Sequence, residues 1–173
     1  MFPQDYEFET LHEHNQPSEF SCGVPDLDEF ICTEAVNRQD AMTSSTLLVK
    51  KDGECVAFCS LCTDTIPVQS KKKDAIIDEG GGRLRSYPAL KIGMMAVATD
   101  YQDNKIGKHL VSYAVAVAGV FQKYAGIRFV TVDAFHKSVD FYKRLYFEPN
   151  GAIKRKHEII PMYLDLREFL PPE

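Results

Sequence analysis

The 173-residue chain lacks the features of a membrane or exported protein. No segment approaches the roughly 18 uncharged apolar residues of a membrane span. The N-terminal residues MFPQDYEF contain no basic region followed by an apolar run. Five cysteines are an odd number and do not form the framework of a small secreted fold, so we expect reduced thiols. We therefore expect a cytoplasmic protein.

The chain also lacks an excess of positive charge. It has 20 Lys and Arg against 25 Asp and Glu, a net charge of -5. This balance argues against a broad nucleic-acid-binding face but does not exclude a local basic patch. Short basic runs occur at Lys71–Lys73, Arg83–Arg85 and Lys154–Lys156, and we interpret them as solvated loop charges.

A metal site is not indicated. Cys55, Cys59 and Cys62 have the spacing of some iron-sulfur ligands, but they fall in a predicted strand. On a regular strand the first two share a face and the third points to the other, so three thiolates could not converge. His12 and His14 are a close pair without a third ligand. No Ser or Cys lies in a recognisable nucleophile turn, so covalent catalysis has no specific support.

The length and the 45% hydrophobic content fit one domain over residues 1–173. In the first third we predict a half-exposed strand around Tyr6–Thr10, a helix capped by Asp26, and strands at Ser45–Lys50 and Glu54–Thr65. Asp52–Gly53 is a strong hairpin signal, so these two strands should pair antiparallel.

The pattern weakens from Ile66 to Pro88. Three lysines, a short helix at Asp74–Asp78 and the run Gly80–Gly82 lie there. Glycine gives the backbone freedom, so we expect the least ordered or most adaptable part of the chain. A mobile flap and a plain connection are both consistent with the sequence.

Strands and helices alternate in the second half. The predicted elements are a strand at Pro88–Thr99, a helix at Gly107–Tyr124 that buries Leu110, Tyr113, Ala114, Val117 and Phe121, a strand at Phe129–Ala134, a short helix capped by Ser138, and a strand at Glu158–Leu166 interrupted by Pro161. This order indicates one sheet with helices on both faces, parallel where helices cross over.

The stretch Ile92–Leu110 is the centre of the functional prediction. Met94–Ala98 is an apolar run, Thr99–Lys105 is polar, and apolar residues return at helical spacing from Ile106. A helix that begins after a strand and a turn presents unpaired N–H groups and the positive end of its dipole. The sequence therefore predicts a phosphate-bearing cofactor.

The segment VATDYQDNKIGKHLV, followed later by SVDFYKRLYF, resembles the acyl-CoA-binding core of the GNAT superfamily of N-acyltransferases. The resemblance implies an α/β (α+β) fold with a mixed, mostly antiparallel central sheet and helices on both faces. The family's loop pattern is Gln or Arg, two residues, Gly, one residue, then Gly or Ala. Gln102 and Gly107 match its ends, and Lys105 stands where the middle glycine is usual.

The resemblance also implies how acetyl-CoA is held. The backbone of Met95, Ala96 and Val97 would pair with the pantetheine arm in a local gap beside Phe129–Ala134. The pyrophosphate would lie on the loop residues, and two residues near the later helix would complete the site. These loop and helix residues are Gln102, Asp103, Asn104, Lys105, Ile106, Gly107, Lys108, Ser138 and Phe141.

Tyr142 matches the tyrosine that protonates the departing CoA thiolate in many family members. A phenol is protonated at neutral pH and can donate as charge develops on sulfur. The alternative is a core tyrosine that packs beside Phe141. In the family a glycine usually precedes the final phenylalanine, whereas Tyr146 precedes Phe147 here.

A general base is not visible in the sequence. The family often uses a Glu on the central strand, but Ile92–Ala98 contains no carboxylate. Asp133 and Asp64 are the nearest candidates by topology. An amine with a lowered pKa, or deprotonation through water, would need neither residue.

The segment PSEFSCGVPDLDEFICTEA is similar to the start of GNAT toxins of toxin-antitoxin modules, which acetylate aminoacyl-tRNA; it also occurs in GNAT proteins without an assigned substrate. Because the chain is net acidic, a small-molecule or peptide amine ranks first as acceptor and aminoacyl-tRNA second. A non-catalytic acyl-CoA-binding protein is the third alternative. The resemblance also leaves room for a homodimer, and no membrane partner is expected.

Overall fold

Seven strands form the sheet in the computed structural model, which describes residues 5–153 and 158–169. The strands are β1 (Glu7–Thr10), β2 (Ser45–Lys51), β3 (Glu54–Ile66), β4 (Tyr87–Val97), β5 (Phe129–Phe135), β6 (Glu148–Pro149) and β7 (Ile159–Asp165). Their order is β1-β2-β3-β4-β5-β7-β6. The predicted sheet is confirmed, with β6 as a two-residue strand that the sequence did not predict.

Five α-helical segments connect the strands. They are α1 (Pro25–Glu29), α2 (Ala35–Asp40), α3 (Ser70–Asp78), α4 (Ile106–Phe121) and α5 (Val139–Lys143), with a π-helical turn at Phe30–Glu34 that joins the first two. Among the described helices, none is both long enough and apolar enough to cross a membrane.

The chain divides into two compact units. The first contains Met1–Cys62 and Ile92–Ala114, and the second contains Thr63–Lys91 and Val115–Glu173. The single domain over residues 1–173 stays a prediction.

The β2-β3 hairpin of the first unit forms as predicted. Lys51 pairs with Glu54 across the turn. Asp52 and Gly53 have φ angles of 52° and 84°, which a two-residue turn of type I′ requires at both central positions.

The N-cap predicted for the first helix is wrong. Val24 occupies the cap position and Pro25 the first helical position, where its missing N–H is not needed. The Asp28 carboxylate instead accepts a hydrogen bond from the backbone N–H of Cys22 at 2.7 Å. The helix buries Leu27, Phe30 and Ile31 as its pattern predicts, and the Phe30 ring packs against Phe58 of β3.

In the second unit, α3 is longer than the predicted helix Asp74–Asp78. It packs against the core of this unit and ends in a capping motif. Ile76 is 1% exposed and belongs to a core cluster with Tyr87 and Phe129. Gly80 has a φ of 84°, and the N–H groups of Gly80 and Gly81 donate to the carbonyls of Ile77 and Ile76. This is a Schellman cap. Part of the segment Ile66–Pro88, for which a flap and a plain connection were both open, is therefore helical.

A buried carboxylate joins α3 to the end of β7. Asp165 is 3% exposed at its side chain and contacts Lys72 Nζ at 2.7 Å and Arg128 Nε at 2.8 Å. Arg128 also contacts Glu79 at 2.9 Å, and Lys72 contacts Glu168 at 3.0 Å. Burial raises the pKa of Asp165, but the hydrogen bonds from Arg128 and Lys72 outweigh burial and leave the pKa below its ordinary value.

The last strand is continuous through Pro161, contrary to the predicted interruption. Pro161 pairs with Asp133 of β5 in an unbroken register. Its carbonyl accepts from the N–H of Asn150, so the backbone N and O of this residue point away from β5. The missing N–H therefore removes no bond from the β5-β7 ladder.

Helix α4 buries a face slightly different from the predicted one. Ile106, Leu110 and Ala114 are buried, but Phe121 is 53% exposed and ends the helix three residues before the predicted Tyr124. The basic run Lys154–Lys156 lies outside the described residues.

Candidate functional site

The loop between β4 and α4 has the predicted order of strand, turn and helix. β4 ends at Val97, a 3-10 turn covers Thr99–Tyr101, and α4 begins at Ile106. The N–H of His109 donates to the carbonyl of Lys105 at 3.2 Å and opens the helix. The N–H groups of Ile106, Gly107 and Lys108 therefore have no acceptor within the helix, which is the arrangement that binds phosphate.

Lys105, which stands where the family pattern has glycine, has a left-handed backbone conformation. Its φ is 61°, and that of Asp103 is 68°. An L-residue in this left-handed region costs roughly 1–2 kcal/mol relative to glycine. Lys105 is therefore held in a conformation that favours glycine.

The positive φ of Lys105 predicts that glycine and alanine substitutions have opposite orders of stability at Lys105 and at the nearby Lys108. Lys105→Gly should be more stable than Lys105→Ala by about 1 kcal/mol, because glycine tolerates the left-handed region. At Lys108, inside the helix, Lys108→Gly should be less stable than Lys108→Ala by about 1 kcal/mol. Urea unfolding of the four variants measures both differences. If alanine is the more stable substitution at both positions, the left-handed conformation of Lys105 is wrong.

The segment Phe20–Gly23 (FSCG) contacts the loop between β4 and α4 and stabilises it, a role that the sequence did not predict. The Gln102 amide donates to the carbonyls of Cys22 at 3.0 Å and Val97 at 3.1 Å. The N–H of Thr99 donates to the Ser21 carbonyl at 2.9 Å. Because Gln102 and Cys22 are 80 residues apart, no local pattern could have signalled their contact. The Gln102 side chain thus holds the loop in shape.

Two lysines, Lys105 and Lys108, flank the start of α4 at Ile106. Burial, together with the charges of Lys108 and Lys105, lowers the pKa of His109. A cleft of about 590 Å³ opens beside Asn104. Its other walls are Asp5, Tyr6, Lys51, Glu54, Asp100 and Tyr101. Three carboxylates among these walls make the cleft unsuited to a phosphate.

The predicted pantetheine strand leads directly into this loop. Met95 and Val97 are half-buried and Ala96 is 7% exposed. After the strand, the N–H of Ala98 donates to the carbonyl of Val56 in β3 at 2.8 Å. Met95, Ala96 and Val97 are therefore continuous with the loop in the first unit. The gap beside Phe129–Ala134 stays a prediction.

The other predicted site residues lie on α5 in the second unit. Ser138 occupies the N-cap position, but its side chain makes no capping hydrogen bond. Tyr142 is 6% exposed. Its ring packs edge-on against Phe141 and Phe147, with centroids 5.0 and 5.4 Å away. Tyr142 therefore lies on the predicted helix and packs beside Phe141 as the alternative of a core tyrosine describes, and its role as an acid stays a prediction.

Tyr146, where the family usually has glycine, also has a left-handed backbone conformation. Its φ is 67°. The N–H groups of Tyr146 and Phe147 donate to the carbonyls of Lys143 and Tyr142, which is again the Schellman arrangement with the left-handed residue after the helix. The turn after α5 therefore has the backbone of a glycine-capped helix.

Both candidate bases have partners. Asp133 contacts Lys91 Nζ at 2.7 Å. Asp64 accepts from the Thr131 hydroxyl and from the N–H of Thr65, both at 2.8 Å. Each candidate carboxylate is therefore engaged by a neighbouring side chain, Asp133 by Lys91 and Asp64 by Thr131.

The cysteines are free thiols. β2 and β3 shift register, so Val49 and Lys50 pair with Ala57 and Cys55. The extra residue is a bulge, and the prediction that Cys55 and Cys59 share a face, which assumed regular alternation, is wrong. Burial raises the pKa of both thiols to about 12, and burial and Asp28 raise the pKa of Cys22 to about 11. Thiols with such pKa values are protonated at neutral pH and are poor nucleophiles.

The His12 and His14 rings stack with centroids 5.5 Å apart. In the described ranges, no three His, Cys, Asp or Glu side chains come together as a metal site.

The model of the acetyltransferase (GNAT) family matches residues 8–147. No curated protein matches the chain significantly. Among solved structures, a bacterial toxin is 18% identical with a TM-score of 0.80, covering 94% of this chain and 92% of its own. AtaT complexed with acetyl-methionyl-tRNAfMet is 20% identical with a TM-score of 0.80, covering 95% and 96%. A tyrosine-to-phenylalanine mutant of KacT is 17% identical with a TM-score of 0.79, covering 95% and 97%. At these identities the likeness shows the fold.

Proposed function

Because the family match covers well over half of it, the chain belongs to the GNAT acetyltransferase family and is an acyl-CoA-dependent acetyltransferase, and we propose that it acetylates an amino group with Tyr142 as general acid. Acetyl-CoA is the co-substrate of this family, and AtaTR has been solved with acetyl-CoA bound. The observation that carries the proposal is the start of α4, where N–H groups without helical acceptors follow a braced loop of the family pattern.

The residues of the loop fit the pyrophosphate. The N–H of Gln102 is occupied by the Thr99 carbonyl, so the anion-binding amides would come from the residues after it, Asp103 to Lys108. The Lys105 side chain is exposed and would add an ammonium near the phosphates. Met95, Ala96 and Val97 would hold the pantetheine arm, and Ser138 and Phe141 would lie beside its thiol end.

The proposed chemistry is direct transfer. The acceptor nitrogen bonds to the acetyl carbonyl carbon and the carbon–sulfur bond breaks. The departing sulfur takes the phenolic proton of Tyr142. The surplus proton on nitrogen passes to water, and a proton from water restores the phenol. This route uses no covalent enzyme intermediate, which agrees with protonated cysteines at Cys22, Cys55 and Cys59.

The acceptor that we favour is the amino group of aminoacyl-tRNA, and the supporting observation is the distribution of charge. The first unit has 5 Lys and Arg against 14 Asp and Glu, whereas the second has 15 against 11. The net charges of -9 and +4 mean that the acidity of the whole chain does not describe the second unit. The similar AtaT has been solved with acetyl-methionyl-tRNAfMet, and a small-molecule or peptide amine is the second candidate.

The non-catalytic alternative loses its main support. It depended on Lys105 and Tyr146 at positions where the family has glycine. Both residues take the left-handed φ that glycine would take, so neither substitution argues for a changed loop or a changed turn.

Two measurements test the proposed function. Acetyl-CoA at millimolar concentration should raise the melting temperature, since a ligand that binds only the folded state stabilises it. Mass spectrometry should then detect acetyl transfer in a panel of polyamines, amino acids, peptides and charged tRNA. An unchanged melting temperature would remove the cofactor assignment. If the chain binds acetyl-CoA but acetylates nothing in the panel, the result would favour the non-catalytic alternative.

A further inference from the structure

Several segments of the second unit meet at one end of its strands. Lys72 of α3 contacts Asp165 and Glu168 at the end of β7. Glu79, just after α3, contacts Arg128 just before β5. Arg83 and Arg85 lie in the link from α3 to β4, where the Tyr87 hydroxyl donates to the Gly82 carbonyl. The residues after α5 join this end through Tyr146, whose ring lies 5.4 Å from that of Phe169.

Cations outnumber carboxylates there once ion pairs are set aside. Glu79, Asp165 and Glu168 are paired with Lys72, Arg128 and Arg167. Over residues 5–153 and 158–169, five cations at this end make no ion pair, and three carboxylates make none. The five are Lys71, Lys73, Arg83, Arg85 and Arg144, of which all but the half-buried Lys73 are exposed, and the three are Asp74, Asp78 and Glu148.

Two aromatic rings are exposed among these cations. Tyr146 is 71% exposed and Phe169 is 41% exposed. Their planes are tilted by 53°, so each ring leaves a face that a third planar group could cover. Tyr146 is held in its left-handed conformation by the cap of α5, with Arg144 two residues before it. The ring is therefore presented from a fixed backbone.

We propose that this surface, the basic end (Lys71, Lys73, Arg83, Arg85, Arg144, Tyr146 and Phe169), binds RNA next to an unpaired 3′ end such as that of tRNA. Cations that are exposed and unpaired attract phosphates, and exposed aromatic rings stack on unpaired bases. The inference rests on the proposed acetyl transfer to aminoacyl-tRNA. It adds the surface that recognises the nucleic acid. Tyr146 of this surface follows Tyr142 by four residues on the same chain segment.

The test is binding of fluorescein-labelled, unacylated tRNA without acetyl-CoA, measured by fluorescence anisotropy over a range of salt concentrations. Arg83→Glu/Arg85→Glu should weaken binding at least tenfold and reduce the salt slope by about 2, because two phosphate contacts are lost. Tyr146→Gly should weaken binding about tenfold through lost stacking. This variant should fold, since glycine suits the positive φ.

Two matched charge-reversal variants, one on each side of α5, test whether tRNA binding depends on the basic end or on the general charge of the protein. Arg144→Glu removes a cation at the basic end and should weaken binding. Lys137→Glu makes the same charge change before α5, where Lys137 is exposed, and should leave the affinity within twofold of wild type. Equal losses from both variants would overturn the basic end as the binding surface.

The remaining outcomes distinguish the partner and the proposed function. The RNA proposal is wrong if the wild-type chain does not bind tRNA. It is also wrong if Tyr146→Gly leaves the affinity unchanged and heparin displaces tRNA, because the surface would then bind by charge alone. Each variant is also tested for the thermal shift with acetyl-CoA. A preserved shift without tRNA binding overturns this inference alone, whereas a missing shift in the wild type overturns the proposed function.

Discussion

Replacing Tyr142 by phenylalanine lowers the turnover of acetyl transfer by about a hundredfold or more and leaves the affinity for acetyl-CoA within about twofold of wild type. The loss follows from the missing proton donor, since positioned general acids contribute typically 10²–10⁴ to a rate. The fold should survive, because the packing of Tyr142 against Phe141 and Phe147 involves the ring. The experiment measures steady-state kinetics with an acceptor from the panel and binding by thermal shift.

The matched control is Tyr124→Phe. Tyr124 is 86% exposed, so loss of its hydroxyl should change neither turnover nor affinity. A fall in turnover with a fall in acetyl-CoA affinity of the same size would indicate that the Tyr142 hydroxyl binds the cofactor in the ground state. Unchanged turnover would make Tyr142 a core tyrosine, the alternative that the sequence left open.

Asp165→Asn should lower the free energy of unfolding by about 3–5 kcal/mol at pH 7. Its carboxylate is almost fully buried between Lys72 and Arg128, and removing one partner of a buried ion pair leaves uncompensated charge. The retained contact between Arg128 and Glu79 places the effect at the lower end of this range. The measurement is urea unfolding followed by circular dichroism.

The control for this substitution is Asp133→Asn. The Asp133 side chain is 46% exposed in its contact with Lys91, and exposed pairs contribute at most about 1 kcal/mol. A loss of no more than about 1 kcal/mol from Asp165→Asn, the size expected of the exposed pair, would show that the Asp165 cluster does not stabilise the second unit.

The pH dependence gives a second measure of the same cluster. The pKa of Asp165 is lower in the folded state than its ordinary value of 3.8. Its contribution to stability is therefore fully present above pH 4 and is lost as the pH falls through the folded-state pKa. The stability difference between wild type and Asp165→Asn should narrow over this acidic range. A difference that grows below pH 4 would contradict the lowered pKa.

Most of the element order was predictable because the signals for it are local. Alternation and helical spacing give β2, β3, β4, α4 and β5, and Asp52–Gly53 gives the hairpin turn. The errors are at the edges of elements, where tertiary contacts decide. Pro25 displaces Asp26 from the first helix start, and Phe121 lies outside the buried face of α4.

The candidate site divides in the same way. The order of strand, polar loop and helix predicts where phosphate would bind, since the N–H groups at a helix start are unpaired in any sequence. The same order cannot predict that the Gln102 amide reaches the Cys22 carbonyl. It also cannot predict the partners of Asp133 and Asp64, which come from Lys91 and Thr131 on other strands.

By itself, the sequence determined the strand and helix order, the hairpin and the position of the loop that we propose for phosphate, because each depends on the spacing of neighbouring residues. Only the three-dimensional structure decided that Lys105 and Tyr146 take left-handed backbone conformations, because neither residue type favours a positive φ by itself. It also decided that Asp165 is buried between two cations. The division into an acidic and a basic unit likewise depends on the fold, because distant segments compose each unit.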